Sequence, residues 1–165
     1  MPIAQEKATM VDRWVVDNMR VSEPHVPVCQ VRRLHHVGFV VNSIEAVADR
    51  FAKSIGATWD HKTTHDPLQR VRVSFIRGGN PSFTSVELVE PAGTNSPVEQ
   101  FLQRGGGLHH LCYEVDRLEE QLSFSRSVGG VVVKPPLPAA AFDGRRIAWM
   151  VTKDKLLLEF LEAAS

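Results

Sequence analysis

The sequence predicts an α+β fold in which two βαβββ modules, related by a pseudo-twofold axis, form one curved mixed sheet bearing a cleft. Three observations predict it. LHHVGFVVNSIEAVADRFAKSIGA (34–57) finds a counterpart in LHHLCYEVDRLEEQLSFSRSVGG (108–130), an offset of about 73 residues that marks a duplicated unit. VELVE (86–90) falls on LEFLE (158–162) at nearly the same offset. In both copies an apolar strand run gives way to helical spacing and then to further short strand runs.

Residues 1–30 stand apart as an N-terminal extension. Met10, Val11, Trp14, Val15 and Met19 make one face of a short helix, and SEPHVPV ends it because Pro24 and Pro27 lack a backbone donor. This segment is expected to pack on the domain or on a partner subunit. The first module spans 31–92. LHHVGFVV is its first strand, Asn42-Ser43 its helix cap, and Ile44, Val47, Ala48, Phe51 and Ile55 the apolar helix face, closed by Gly56. Strands are expected near Ala57–Asp60, Val71–Ile76 and Thr84–Val89, with a hairpin at Gly78-Gly79-Asn80-Pro81. A linker, 93–107, carries a short helix over SPVEQFLQR, capped at Ser96 with Pro97 in its first turn. The second module, 108–165, repeats the order. Its helix presents Leu118, Leu122 and Val128, and strands follow near Val131–Lys134, Arg146–Val151 and Leu156–Leu161.

Composition narrows the function. The chain of 165 residues is 43% hydrophobic, enough for a core without disulfides. Nineteen basic residues balance nineteen acidic ones, which argues against nucleic acid or an anionic membrane as partner. No apolar run reaches the ~18–20 residues of a membrane span. MPIAQEKATMVDRW has charges where a signal peptide keeps its apolar core, and Cys29 with Cys112 makes no disulfide framework. A cytoplasmic protein is expected.

Four polar residues interrupt otherwise apolar strands: His36, Glu87, His110 and Glu159. Successive strand residues face opposite sides. His35, Val37, Phe39 and Val41 are expected under the first helix, leaving His36 on the open face beside Gly38. The second copy places His109, Leu111, Tyr113 and Val115 under its helix, with His110 and Cys112 opposite. Val86, Leu88, Leu158 and Phe160 face the helices, so both glutamates face the cleft. Taken singly, a strand histidine is most simply a hydrogen-bonded core residue. Equivalent placement in two repeats points instead to a divalent cation held by two nitrogens and two oxygens, a set suited to Zn, Ni, Co, Mn or Fe. His35 and His109 read as structural residues behind the ligands, and Cys112 as a small core residue. His25, His61 and His65 are assigned nothing. Gly105–Gly107 precede a strand and make a hinge between the modules, with no phosphate loop. Arg70, Arg72, Arg145, Arg146 and Lys153 are available to meet an anionic substrate.

The paired modules with His, Glu, His and Glu on equivalent strands resemble the vicinal oxygen chelate superfamily, which includes glyoxalase I and bleomycin-resistance proteins. More narrowly, VELVEPAGTNSPVEQFLQRGGGLHHLCYEV and DGRRIAWMVTKDKLLLEFLE are similar to methylmalonyl-CoA epimerases. The resemblance runs from about Val31 to Ala163 and implies metal ligands at His36, Glu87, His110 and Glu159. It implies one divalent ion (Co, Zn, Ni or Mn) and an isomerase that epimerises a 2-substituted acyl-CoA thioester such as methylmalonyl-CoA through a metal-chelated enediolate. Glu159 would be ligand and base and Glu87 the second catalytic carboxylate, in a homodimer. Two positions depart from the family pattern. Val73 stands where some epimerases carry a catalytic glutamate, and Val151-Thr152-Lys153-Asp154-Lys155 shortens a His-Pro-Lys…Gly-Gly turn. The alternatives are a glyoxalase-I-like lyase acting on a glutathione hemithioacetal, an Fe(II) dioxygenase that needs fewer ligands, and a metal-free ligand-sequestering protein of the same fold.

Overall fold

Residues 31–164 are described by the structure, a computed structural model. The expected helix face around Trp14 lies outside the described residues. Strand β1 (Val31–Val40) leads into helix α1 (Ile44–Ser54), where Ser43 Oγ accepts from Ala46 N at 3.3 Å and satisfies one of the free amides of the first turn. Ile44, Ala48 and Ala52, spaced four apart, are the buried stripe of α1. Ile55 is not part of it: it sits in the C-cap and is 42% exposed. Strands β2 (Thr58–Trp59), β3 (Thr64–Asp66), β4 (Val71–Arg77) and β5 (Ser85–Pro91) complete the first half.

Helix α2 (Glu99–Gln103) is shorter than the sequence suggests. Ser96 does not cap it through its side chain; its carbonyl accepts from Glu99 N at 3.2 Å, and its Oγ is buried without a hydrogen-bond partner. The second half comprises β6 (Gly107–Val115), α3 (Leu118–Ser127), β7 (Val131–Pro138), a 3-10 turn (Ala140–Phe142), β8 (Arg146–Val151) and β9 (Leu157–Glu162). Helix α3 buries Leu118, Gln121, Leu122 and Ser125, the two polar groups bonding each other at 3.1 Å. Val128 lies one residue past the helix end and is 62% exposed, contrary to the expected apolar face.

The strands join in the order β2-β4-β5-β1-β6-β9-β8-β7, with β3 paired to β4. Reading from either end gives the same pattern: β1 runs parallel to β5, β6 parallel to β9, and antiparallel β1 and β6 meet at the centre. The curved sheet therefore places equivalent elements symmetrically about the β1–β6 seam. Helix α1 covers Ile76, Leu88 and Val86, while α3 covers Val115, Met150 and Phe160. The opposite face carries Val40, Val71, Val73 and Val89 from one half, and Cys112, Ile147 and Leu161 from the other. No helix among the described residues is long and apolar enough to cross a membrane.

Candidate metal centre

The β1–β6 seam brings the two strand histidines together. His36 pairs across the seam with Cys112, and His110 with Gly38, so each imidazole faces a small residue. The space beside Gly38 is used fully: a Cβ there would lie 2.0 Å from His110 Cε1. Glu87 enters from β5, opposite Gly38, and Glu159 from β9, opposite Cys112. All four side chains are buried. His36 Nε2 and His110 Nε2 are 3.1 Å apart. Glu87 Oε2 lies 3.4 Å from His36 Nε2 and 3.3 Å from His110 Nε2, and Glu159 Oε2 lies at 3.1 and 3.5 Å from the same atoms. Ligand atoms around a four-coordinate ion with bonds of ~2.0–2.2 Å stand about 3.3–3.6 Å from one another, so His36, Glu87 and His110, whose ligand atoms all lie within 4.8 Å of one another, are spaced for a shared ion, and Glu159 adjoins both imidazoles.

The seam also carries a feature that strand alternation misses. Its register jumps between Leu34↔Tyr113 and His36↔Cys112, and again between Gly38↔His110 and Phe39↔Leu108. His35 and His109 are the extra residues of two symmetry-related β-bulges, which turn a side chain away from regular alternation. Neither lies under its module's own helix as expected, although His109 meets Phe101 of α2 edge-on at 4.9 Å. His35 Nδ1 is 2.9 Å from His36 Nδ1 and packs edge-on against Phe142, while His109 Nδ1 is 3.1 Å from His110 Nδ1 and lines the cleft. Burial lowers both pKa values to about 4, helped by the neighbouring His36 and His110 imidazoles respectively. Both rings are therefore neutral at pH 7 and able to accept through Nδ1. Each can take the Nδ1–H of its neighbour, which leaves His36 Nε2 and His110 Nε2 as bare lone pairs.

Two bare nitrogens and two carboxylates directed at one point cannot satisfy one another. Glu159 Oε2 is buried with no hydrogen-bond donor, an orphan that a cation would satisfy. Without a cation, protons serve instead. Burial pulls His36 down, but Glu87 and Glu159 outweigh it and lift its pKa to about 10, and the same carboxylates raise His110. Burial pushes Glu87 and Glu159 up, yet the two imidazoles hold both below the ordinary carboxylate range. The cluster thus fits a divalent ion of borderline softness. His36 also has His35 and Cys112 on its other edge. Burial, followed by Glu159, pushes the Cys112 thiol well above its usual range, so it stays protonated and apolar.

Aromatic rings frame the cluster with the same symmetry. Phe75, paired to Glu87, meets His36 edge-on at 5.5 Å; Trp149, paired to Glu159, meets His110 at 4.7 Å. Phe142 stacks on His36 at 5.8 Å. Val71, Val73 and Val89 make the first-half wall, so the position that is glutamate in some epimerases is apolar and only 5% exposed.

The arginines available in the sequence do not line the cleft. Arg72 pairs with Glu90 at 2.6 Å and Glu45 at 2.7 Å, Arg145 with Glu114 at 3.3 Å, and Arg146 with Glu119 and Glu162. Arg70 and Lys153 are likewise absent from the lining. The cation that does line it, Lys134, comes from the middle of β7. A lone lysine in VVVKPP is its sequence signal, with nothing to say which wall it joins.

Residues 35–149 match the model of the Glyoxalase/Bleomycin resistance protein/Dioxygenase superfamily, and the chain belongs to that superfamily. Within it, the chain is 31% identical over 126 residues to the ethylmalonyl-CoA/methylmalonyl-CoA epimerase of Cereibacter sphaeroides, covering 75% of this chain and 91% of that protein. It is also 31% identical over 135 residues to the uncharacterized protein YqjC of Bacillus subtilis, covering 80% and 93%. In fold it matches Streptomyces coelicolor methylmalonyl-CoA epimerase in complex with 2-nitronate-propionyl-CoA, with a TM-score of 0.69 at 23% identity, over 82% of this chain and 100% of the other.

Proposed function

We propose that the protein is a metal-dependent epimerase of a 2-substituted acyl-CoA thioester such as methylmalonyl-CoA. The observation that supports this most is the burial of Glu87 and Glu159 against both His36 Nε2 and His110 Nε2, in a chain similar to an epimerase of ethylmalonyl-CoA and methylmalonyl-CoA. These four residues would hold one divalent ion, Co, Zn, Ni or Mn. When bound, the ion supplies Lewis-acid polarisation of a carbonyl and charge for the enolate oxygen.

The chain's own groups do the rest. His35 and His109 keep the ligand rings in the Nε2-free tautomer. Glu159 is the carboxylate that carries the proton removed from the α-carbon, and Glu87, entering from the other half, is the second proton carrier. Val73 leaves β4 without a carboxylate, and Asp66, which also lines the cleft, is held by the Gln69 and Ala140 amides, so proton transfer falls to Glu87 and Glu159. Phe75, Phe142 and Trp149 exclude water from the reacting carbon.

The test is incubation with methylmalonyl-CoA in D₂O. Metal-loaded protein should exchange the α-hydrogen and interconvert the epimers, and Glu159→Gln should retain metal while losing most of the exchange. No exchange by the metal-loaded wild type overturns the reading. The protein is further read as a cytoplasmic homodimer with no nucleic-acid or membrane partner, a state that light scattering of the full chain checks.

A further inference from the structure

The two long helices cover their halves of the sheet unequally. In the first half, Val47 and Phe51 of α1 pack on the core, and the Phe51 ring meets Phe39 of β1 at 6.2 Å. The duplication sets LHHVGFVVNSIEAVADRF over LHHLCYEVDRLEEQLSFS, so Phe39 falls on Tyr113, Val47 on Gln121 and Phe51 on Ser125. Helix α3 therefore lacks the large apolar pair. Gln121 and Ser125 bond each other instead, and a groove of about 320 Å³ lies between α3 and the sheet. Tyr113, Leu158 and Phe160 give it apolar walls, and Val31, which is 43% exposed, lines it too. Apolar walls left to water cost free energy, and a ring brought from elsewhere removes that cost.

The path of the chain supplies such a ring. Val31 pairs with Val115, which belongs to the core under α3, and residues directly opposite in an antiparallel pair share a face. The thirty residues before Val31 therefore join the domain beside the groove. Among those thirty, Trp14 is the one Phe, Tyr or Trp, and Met10, Val11, Val15 and Met19 share its apolar face at helical spacing. Pro24 and Pro27, between Trp14 and Val31, end that spacing. Trp14 precedes Val31 by 17 residues, a tether long enough to reach the groove and short enough to keep the ring near it at roughly millimolar effective concentration. A second copy of the chain has no such advantage.

We propose that the groove between α3 and the sheet is the dock for residues 1–30 of the same chain. The Trp14 indole takes the place that the Phe51 ring holds in the first half, and Tyr113 meets it as Phe39 meets Phe51. The second half thus completes its cover with a segment that lies outside the duplicated unit.

Fluorine NMR of the full chain carrying 5-fluorotryptophan reads three resonances, for Trp14, Trp59 and Trp149, and Trp14→Phe identifies the first. In the wild type, the Trp14 resonance should stand away from that of free fluorotryptophan and move little between H₂O and D₂O. Ser125→Phe gives α3 the ring that α1 carries, and should send the Trp14 resonance to the free position while Trp59 and Trp149 keep theirs. Val31→Asp places a charge at an exposed position of the groove and should send it the same way, which decides the question if Ser125→Phe does not fold. A Trp14 resonance at the free position in the wild type, or one that neither variant moves, overturns the dock. So does one that changes on dilution, since a second copy would then be the occupant.

Discussion

The inner and outer parts of the cleft follow different rules. Around the cluster, five pairs of residues match across the halves: His36 and His110, Gly38 and Cys112, Glu87 and Glu159, Phe75 and Trp149, His35 and His109. Farther out, the symmetry ends. The first half contributes a short β3 and the Asp66–Gln69 turn, whereas the second contributes the long β7 with Lys134. An ion accepts ligands from two sides equally, so duplication suits it. A substrate has unlike ends, which an exact duplicate would meet alike, and it is in this outer part that the halves differ.

The largest expected effect comes from breaking the inner symmetry. His36→Ala or His110→Ala should turn a metal-binding chain into one that elutes from desalting without metal, as elemental analysis would show. Next comes the pair of small residues facing the imidazoles, Gly38 and Cys112. Gly38→Val must push the His110 ring aside, costing about 1–3 kcal/mol of stability and most of the metal affinity. Cys112→Ala, its counterpart, should cost only about 1 kcal/mol in urea melts and keep the metal. If the two substitutions behave alike, the packing account of Gly38 is wrong.

Replacing the bulge residues should act through their neighbours. His35→Phe and His109→Phe are expected to lower metal affinity about 10- to 100-fold, read by competition with a chromogenic chelator. pH provides another comparison. In chelator-treated protein, the raised His36 pKa gives stability that is complete below its ordinary value of 6.5 and is lost as pH climbs through about 10. Thermal melts of that form should decline over this window, while metal affinity rises over it because protons leave the same nitrogens. His36→Gln should flatten both trends. The smallest effect belongs to Val128→Ser, within about 0.5 kcal/mol, against about 2–5 kcal/mol for Leu122→Ala on the buried side of α3.

Much of this inner ring is legible in the sequence because strand alternation has a period of two and the duplication repeats it. His36, Glu87, His110 and Glu159 can be placed on one face by counting from their neighbours. The bulges cannot be counted. Whether His35 is an extra residue depends on how β1 registers against β6, and neither strand encodes that alone. Lys134 escaped for a related reason. Its place in the cleft depends on β7 continuing through Pro138 and curving round to meet the Gln69 turn, an arrangement between distant segments. Val128 and Ser96 mislead more simply, since each sits just beyond the helix it was expected to serve.

Asp66 has a mechanical consequence. Its carboxylate ties the first half to Ala140, in the short turn that also carries Phe142, the ring stacked on His36. Asp66, Ala140 and Phe142 thus form an arm that reaches the face of the His36 imidazole. Asp66→Asn, which keeps the shape but exchanges one acceptor for a donor, should loosen that arm and appear as broadened His36 ring resonances while the sheet stays intact.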